Sequence, residues 1–422
     1  MKVTDKIIGK IKPLNSVNNG PTGAEKNQRL YKEAGFPYSR NHDAAYATTY
    51  GREHTVDIQN IFRNFDADCN DDANYDFDHT DMLTKRTLDA GAKTFYRLGT
   101  SIEGSFIRHY GTVPPKDNHK WAVICEHIIR HLNEEKNFGI EYWEIWNEPE
   151  PWFGTDRNPN CWDGTPEQFY ELYEVAAKHL KKAFPNIKIG GPSSISANIP
   201  WLEDFFKYCK EHSVPLDFFS WHIYNSSTDE IMKRAETMRL LLDKYGFTDT
   251  ESILNEWNFE PKDEPSDVPK LYRARTNVGA AFVADTMLRC QDSSVDMLMY
   301  YDARPGTVYN GIFEFYTGEP FKAYYAFKSF SELYKSGNQL KVSDVPDGVH
   351  AVAAKSDGVA YLMLSYYTDR EEKPEIKIPL SFDGYKISDI YITDADRTNE
   401  EIGAKDEISL KSNSFALVKA VK

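Results

Sequence analysis

The chain has 422 residues, of which 41% are hydrophobic and 27% charged, so it can bury a sizeable core. Its 50 Lys and Arg residues against 65 Asp and Glu give a net charge of −15, which argues against binding to nucleic acid or an anionic membrane. No apolar run reaches the roughly 18 residues of a membrane span, and no secretory signal is visible at the N-terminus. The five scattered cysteines include no CxxC pair, which predicts free thiols and a cytoplasmic location.

Short apolar strands alternate with long amphipathic helices from about residue 11 to residue 335. One helix is expected after Thr165, which forms a capping box with Gln168 and precedes Pro166. Parallel strands need crossover connections, and eight repeats favour closure, so the pattern predicts an α/β fold built on an eight-stranded β/α (TIM) barrel. The strands are predicted at residues 11–17, 36–42, 92–99, 140–147, 186–191, 216–224, 251–257 and 295–303.

The pattern changes after residue 335, where strands follow one another without helices. A hairpin is predicted to turn at Asp357-Gly358, and further strands follow up to the C-terminus. We therefore predict a catalytic barrel domain at 11–335 and a β-sandwich accessory domain at 336–422, which residues 1–10 can complete.

Polar residues cluster where the predicted barrel strands end, and this is the end of a β/α barrel that carries the active site. Two carboxylates stand out, Glu148 in Trp-Asn-Glu-Pro and Glu256 in Asn-Glu-Trp-Asn. Either glutamate alone could cap a helix or pair with an arginine. The other residues at the strand ends are Arg40, His42, Asp43, Arg97, Ser101, Glu103, Asn147, His222, Tyr224, Asn255, Asn258, Tyr301, Asp302 and Arg304.

Two carboxylates facing each other across a pocket are what cleavage of a glycosidic bond requires. One protonates the departing oxygen, and the other attacks the anomeric carbon or activates a water molecule. The fourth and seventh predicted strands lie opposite each other in an eight-stranded barrel, so Glu148 and Glu256 can face each other at a distance suited to direct attack.

Two candidate metal sites fail on residue type. His127 and His131 are spaced i,i+4 on a helix, but no glutamate follows His127 as in a metalloprotease. The acidic stretch from Asp66 to Asp72 resembles the start of a calcium loop, but it has Asp71 where glycine is required and Phe77 where glutamate is required. We therefore expect no metal and no organic cofactor.

Three stretches together resemble the retaining glycoside hydrolases of clan A, and within that clan glycoside hydrolase family 39, the family of β-xylosidases and α-L-iduronidase. They are YWEIWNEPE (142–150), DFFSWHIY (217–224) and ILNEWNFEP (253–261). Supporting stretches are NYDFDHTD (74–81), TFYRLG (94–99), KIGGP (188–192) and PFKAYYAF (320–327).

The resemblance implies a role for each matching residue. Glu148 matches the general acid/base, Glu256 the nucleophile, and Asn147 the asparagine that contacts the sugar 2-hydroxyl. His222 and Tyr224 match residues that hold the nucleophile and the catalytic centre in place. The remaining expected substrate contacts are Arg40, His42, Asp43, Arg97 and Tyr301 in the innermost subsite, with Trp257, Trp152 and the more core-like Trp146 as stacking candidates.

The sequence thus predicts an exo-acting, β-xylosidase-like hydrolase of oligosaccharides or other glycosides. Its acidity argues against a highly anionic polymer as substrate, although Arg40, Arg97 and Arg304 could form a local basic patch for one carboxylate. Two alternatives stay open at this point. One is a non-catalytic carbohydrate-binding barrel, and the other is a transglycosylase that uses the same glutamate pair.

Overall fold

The structure is a computed structural model that describes residues 1–43, 56–102, 110–152, 155–156, 158–261, 273–305, 307 and 311–422. Its helices are α1 Glu25–Ala34, α2 Ile58–Ile61, α3 Asp78–Asp89, α4 Asn118–Arg130, α5 Pro166–Ala183, α6 Ile199–Glu211, α7 Thr228–Lys244, α8 Asn277–Gln291 and α9 Lys322–Ser336, with a 3₁₀ turn at Asp72–Asn74 and a π-helical turn at His131–Glu135.

The first nine strands comprise one N-terminal strand and the eight strands of a closed barrel. They are β1 Lys2–Lys10, β2 Ser16–Asn18, β3 Tyr38–Arg40, β4 Lys93–Leu98, β5 Tyr142–Ile145, β6 Lys188–Ser194, β7 Phe218–Tyr224, β8 Glu251–Asn258 and β9 Met297–Tyr300. The barrel closes in the order β2 to β9, and neighbouring strands are parallel.

The predicted barrel is therefore confirmed, and each of its strands lies within or overlaps its predicted segment. The capping box at the start of α5 is also present, with Thr165 accepting from the Gln168 backbone and Gln168 accepting in return. The first barrel strand is shorter than predicted. The Ile11 amide donates to the Gly337 carbonyl just after β1, and pairing with β9 begins only at Ser16.

A mostly antiparallel sheet follows the barrel. Its strands are β10 Asn338–Ser343, β11 His350–Ser356, β12 Val359–Tyr366, β13 Ile376–Pro379, β14 Ser381–Phe382, β15 Lys386–Thr393, β16 Glu400–Glu401, β17 Glu407–Leu410 and β18 Ser414–Val421. Eight strands form one sheet in the order β14-β1-β10-β11-β12-β18-β15-β16, and β13 pairs with β17. A separate apolar core lies within this unit and includes Leu362, Ile390 and Val418.

The β-sandwich class and the hairpin at Asp357-Gly358 are confirmed. Both turn residues have a positive φ, 29° for Asp357 and 85° for Gly358, as a two-residue turn of this kind requires. Strand β1 pairs antiparallel with β10. The exact division of the chain into 11–335 and 336–422 stays a prediction.

All five cysteines are free thiols. Among the helices in the described ranges, none combines the length and the apolar character needed to cross a bilayer.

The barrel and the sandwich are joined by a buried carboxylate on α8. Asp285 accepts hydrogen bonds from the hydroxyls of Thr228 on α7 (2.8 Å) and Ser365 on β12 (2.7 Å), and it lies 2.7 Å from Nδ1 of His350 on β11. Burial by itself would raise the pKa of Asp285, but the hydrogen bonds and the charge of His350 outweigh it, and the pKa is lowered from 3.8. Helix α8 is thereby held between the two units.

We expect Asp285→Ala to lower the free energy of unfolding at neutral pH by about 3 kcal/mol, because it leaves buried donors without an acceptor. A group with a lowered folded-state pKa contributes stability above its ordinary pKa and loses it as the pH falls through the folded value. The difference from the wild type should therefore shrink below about pH 4. Urea unfolding at several pH values measures this, with the exposed Asp249→Ala as the control. Equal effects of the two substitutions would contradict the assignment.

Candidate active site

A completely buried arginine lies beneath the carboxyl ends of the barrel strands. Arg40, the last residue of β3, donates to Glu144 of β5 and to Glu256 of β8, each at 2.7 Å. It also donates to Asn147 at 2.7 Å and to Ser193 of β6 at 2.8 Å. One guanidinium therefore sets the relative positions of side chains from several strands.

The two predicted catalytic glutamates are brought together. Carboxylate oxygens of Glu148 and Glu256 and a ring nitrogen of His222 all lie within 4.8 Å of one another. The two carboxylates differ in environment, since the side chain of Glu148 is 22% exposed and that of Glu256 only 7%.

Both oxygens of Glu256 are held. Oε1 accepts from Arg40, and Oε2 accepts from the Tyr224 hydroxyl at 2.8 Å. Burial raises the pKa of Glu256, and His222 and Arg40 oppose this by stabilising the carboxylate. Burial outweighs their effect, so the pKa of Glu256 is raised from 4.5. Its ionised form depends on these neighbours.

The imidazole of His222 contacts Glu148 more closely than Glu256. Nδ1 lies 2.7 Å from Oε1 of Glu148 and 3.5 Å from Oε2 of Glu256, and Nε2 lies 2.6 Å from the Ser193 hydroxyl. Burial alone would lower the pKa of His222, but the charge of Glu256 and the hydrogen bond to Glu148 outweigh it and raise the pKa from 6.5. His222 and Glu148 therefore form a pair that can share one proton.

The backbone after β5 places Glu148 by a sharp turn. Trp146 and Glu148 both have a positive φ, 76° and 47°, which is uncommon for residues with side chains. Two hydrogen bonds stabilise the turn, from the Glu148 amide to the Ser193 carbonyl (3.0 Å) and from the Asn158 side chain to the Glu148 carbonyl (2.9 Å). Backbone strain of this kind concentrates at functional sites.

The two glutamates line a cavity of about 230 Å³, which we call the central cavity. Five of the predicted substrate contacts line it as well. The complete lining consists of His42, Asp43, Ile102, Asn147, Glu148, Tyr224, Glu256, Glu260 and Tyr301. The predicted strand-end residue Glu103 lies outside the described residues.

A chain of polar contacts supports one wall of the central cavity. Arg97 donates from Nε to Nδ1 of His42 (3.2 Å), so we assign the ring proton of His42 to Nε2, which lies 3.2 Å from Oδ1 of Asp43. Burial, reinforced by Arg40 and Arg97, lowers the pKa of His42 well below its usual value and keeps the ring neutral, although Asp43 opposes the shift. The Tyr301 hydroxyl donates to the other oxygen of Asp43.

The three arginines do not form the basic patch that the sequence suggested. Arg40 and Arg97 are fully buried beneath the cavity, and Arg97 is bound to Asp57 at 2.5 Å. Arg304 donates to the Asp43 carbonyl at 2.7 Å and to Asp302 at 3.3 Å. Arg40 and Arg97 thus act through other side chains and are not among the residues that line the cavity.

The expectation that Trp257 stacks on a sugar is wrong. Side chains alternate along a strand, so the inward position of Glu256 turns Trp257 to the outer face of β8. There the indole is fully buried, with ring centroids 5.2 Å from Tyr300 and 5.7 Å from Phe282. Trp146 is also a core residue, packed edge-on against Trp162, whereas Trp152 is 44% exposed.

Several residues that shape the site were not singled out in the sequence. Glu144 was detectable in principle, because a charged residue inside an apolar strand needs a buried partner. Glu260 lines the cavity, and Ser193 bonds to both Arg40 and His222. Burial raises the pKa of Glu150, two residues after Glu148, to about 7, although its bond from Ser194 opposes the shift.

One group of three side chains among the described residues is close enough to share a metal ion. It consists of Glu148, His222 and Glu256. Two features favour acid–base chemistry instead. Arg40 places a positive charge 2.7 Å from Glu256, and the raised pKa of His222 disfavours the loss of the ring proton that metal binding would require.

Comparison with known proteins shows which proteins this chain resembles. The chain is 24% identical over 401 residues to a β-xylosidase of Geobacillus stearothermophilus, covering 84% of this chain and 73% of the relative. A solved glucosidase structure from Croceicoccus marinus aligns with a TM-score of 0.78 and 24% identity, covering 100% of this chain and 98% of the other. A monomeric β-xylosidase from Caulobacter crescentus aligns with a TM-score of 0.74 and 17% identity, covering 100% and 99%.

The family model for glycosyl hydrolases family 39 matches residues 24–295, a segment that contains six of the eight barrel strands, β3 to β8. The match includes both glutamates and the residues that hold them. The chain is a glycosidase and belongs to glycosyl hydrolases family 39.

Proposed function

We propose that this protein is an exo-acting, β-xylosidase-like hydrolase that retains anomeric configuration, with Glu256 as nucleophile and Glu148 as acid/base. The observation that carries the proposal is the separation of the glutamates, whose nearest carboxylate oxygens lie within 4.8 Å. Retaining enzymes hold these groups about 5–5.5 Å apart for direct attack, whereas inverting enzymes need about 6.5–9.5 Å for an intervening water.

In the first step, Glu256 attacks the anomeric carbon while Glu148 protonates the departing oxygen. Arg40 and Tyr224 hold the carboxylate of Glu256 through one oxygen each, which orients it for attack. The carbonyl oxygen of Asn147 accepts from Arg40, so its NH₂ group is available to donate to the sugar 2-hydroxyl.

In the second step, Glu148 removes a proton from water, and the water attacks the glycosyl-enzyme from the face that the leaving group vacated. The partial exposure of Glu148 suits a group that exchanges protons with water in every cycle. Nδ1 of His222, 2.7 Å away, holds Oε1 of Glu148 in position for this step.

The central cavity favours one neutral sugar ring. Its volume of about 230 Å³ lies below the roughly 300–1,000 Å³ of sites for drug-sized ligands, which supports exo action. Four of its lining residues are acidic, and the three nearby arginines are engaged, which disfavours a uronic acid in this position. The β-xylosidases among its relatives support xylose, and the similar glucosidase structure makes glucose the alternative to be tested.

The two rival functions make different demands on this geometry. A binding protein does not require a nucleophile held at both oxygens beside a second carboxylate, so the pair favours catalysis. A transglycosylase shares the first step and differs in the acceptor. Product analysis in water and with added sugar acceptors separates the two, and a panel of aryl glycosides (xyloside, arabinofuranoside, arabinopyranoside, galactoside, glucoside and glucuronide) tests the sugar.

We expect the two glutamates to separate by role on 2,4-dinitrophenyl β-D-xyloside, whose leaving group needs little protonation. Glu148→Ala should form the glycosyl-enzyme at nearly normal speed and stall at hydrolysis, and added azide should then give a glycosyl azide of retained configuration. Glu256→Ala should lose about 10⁴-fold or more in kcat, with azide giving only the inverted product.

The exposed α6 variant Glu211→Ala is the control and should match the wild type. If Glu148→Ala gave the inverted azide and Glu256→Ala the retained one, the two assigned roles would have to be exchanged. Full activity in both variants would remove this pair from the reaction.

We expect Tyr224→Phe to lower kcat by about 10²–10⁴, because it removes the donor to Oε2 of Glu256 without changing the ring. His222→Ala should have an effect of the same size through Glu148. Steady-state kinetics on 4-nitrophenyl xyloside measures both, with circular dichroism to confirm folding. Wild-type rates in both variants would show that strand β7 does not support the catalytic carboxylates.

The raised pKa of His222 predicts a pH dependence. One proton shared by His222 and Glu148 must be present for the leaving oxygen to be protonated, so kcat/KM should fall at high pH as that proton is lost, at a pH above the ordinary histidine value of about 6.5. The His222→Asn variant has no imidazole to hold the proton. The fall of kcat/KM at high pH should therefore begin at a lower pH in this variant. An unchanged limb on 4-methoxyphenyl xyloside would contradict the shared proton, and the dinitrophenyl glycoside, which needs no protonation, is the control substrate.

A further inference from the structure

A second cavity adjoins the central one at Glu148. We call it the side cavity, and its volume of about 240 Å³ nearly equals that of the central cavity. Glu148 and Tyr224 line both cavities, whereas Glu256 and Asn147 line only the central one. The side cavity is lined by Glu148, Ile195, Ala197, His222, Ile223, Tyr224, Asn225, Glu230 and Arg234.

The position of the side cavity gives it a role in the reaction, an argument that rests on the proposed function. The oxygen that Glu148 protonates is bonded both to the ring in the central cavity and to the leaving group. A leaving sugar must therefore begin beside Glu148 and extend away from Glu256. The side cavity begins at Glu148, excludes Glu256, and has room for one more ring of the same size.

The walls of the side cavity suit a neutral sugar. Ile195, Ala197 and Ile223 provide apolar surface for the C–H face of a ring, and Arg234 provides N–H donors for its hydroxyl groups. Glu148 and Glu230 in the same lining disfavour a carboxylate on the leaving group.

The guanidinium of Arg234 is fixed in place before any sugar binds. Its Nη1 donates to the carbonyl oxygen of Ser196 and lies 3.2 Å from the Ser196 hydroxyl, which itself donates to the His222 carbonyl at 2.6 Å. Within the described part of the chain, no carboxylate lies within 4.0 Å of this guanidinium. Arg234 is therefore a partly buried cation that keeps donors for a ligand.

We propose that the side cavity is the subsite for the leaving sugar, and that Arg234 determines its preference for a sugar leaving group by donating hydrogen bonds to the hydroxyls of that ring. The same subsite binds an acceptor sugar when the glycosyl-enzyme reacts with one in place of water.

The test compares two substrates that share the sugar in the central cavity. Arg234→Gln should lower kcat/KM for xylobiose about 10- to 100-fold, because a charge-assisted hydrogen bond is lost. It should change kcat/KM for 2,4-dinitrophenyl xyloside less than about 3-fold, because that leaving group has no hydroxyls. The neighbouring Lys233→Gln removes the same charge from an exposed position of α7 and should leave both values unchanged.

The glycosyl-enzyme formed from the dinitrophenyl glycoside gives an independent readout. Its partition between azide and a methyl xyloside acceptor is a ratio within one reaction, so it does not depend on how fast the intermediate forms. Arg234→Gln should reduce the share of the sugar-transfer product about 10- to 100-fold. Ala197→Phe, which fills part of the side cavity and keeps the Arg234 guanidinium, should do the same.

Equal losses on both substrates, or no loss on xylobiose in either variant, would overturn the assignment of the side cavity. Turnover of the dinitrophenyl xyloside by the wild type tests the proposed function independently of the side cavity. If that turnover is present, a failure in the variants concerns the side cavity alone. If no wild-type glycoside turnover is found, both proposals are overturned.

Discussion

The site depends on one fully buried cation. Arg40 has no exposed surface, and a charge removed from water costs several kcal/mol unless it is paired. Its two carboxylate partners, Glu144 and Glu256, come from strands far apart in the chain. Because these buried charges must be paired, β3, β5 and β8 pack so that Arg40 reaches both carboxylates, and this contact holds Glu256 in position.

The same cation acts against a conflict at Glu256. Burial disfavours the charged form of a carboxylate, yet a nucleophile must be ionised. Arg40 and His222 oppose the effect of burial on the pKa of Glu256, which stays raised, and Tyr224 donates a hydrogen bond to the carboxylate. Glu148 is placed by different means, through a turn with positive φ values and contact with His222, and it keeps access to solvent. The two carboxylates thus receive the different environments that their two roles require.

The sandwich contributes to the molecule at a distance from these carboxylates. Its strands β11 and β12 contact α8, the helix between barrel strands β8 and β9, through Asp285. Helix α8 is buried along most of its length, which explains its many small and apolar residues. The sandwich therefore covers a surface of the barrel that would otherwise be exposed to water.

Local signals in the chain were enough to predict much of this fold. Apolar runs such as Phe218–Tyr224 predicted the barrel strands, since a strand buried on both faces needs no polar alternation. The capping box at Thr165 and the turn at Asp357-Gly358 depend only on residues a few positions apart, so they too could be read directly. The contexts of Glu148 and Glu256 indicated the site and the glycosidase class.

By itself, then, the sequence determined the barrel, the sandwich and the pair of glutamates, because periodicity and short motifs act over a few residues. Tertiary structure alone decided the partners of the charged side chains. His222 lies nearer Glu148 than Glu256, and pairing between β7 and β8 shifts register between Trp221 and His222. Arg40 and Arg97 are beneath the cavity because Glu144 and Asp57 reach them from distant segments. Such pairings depend on long-range packing, which no local pattern encodes.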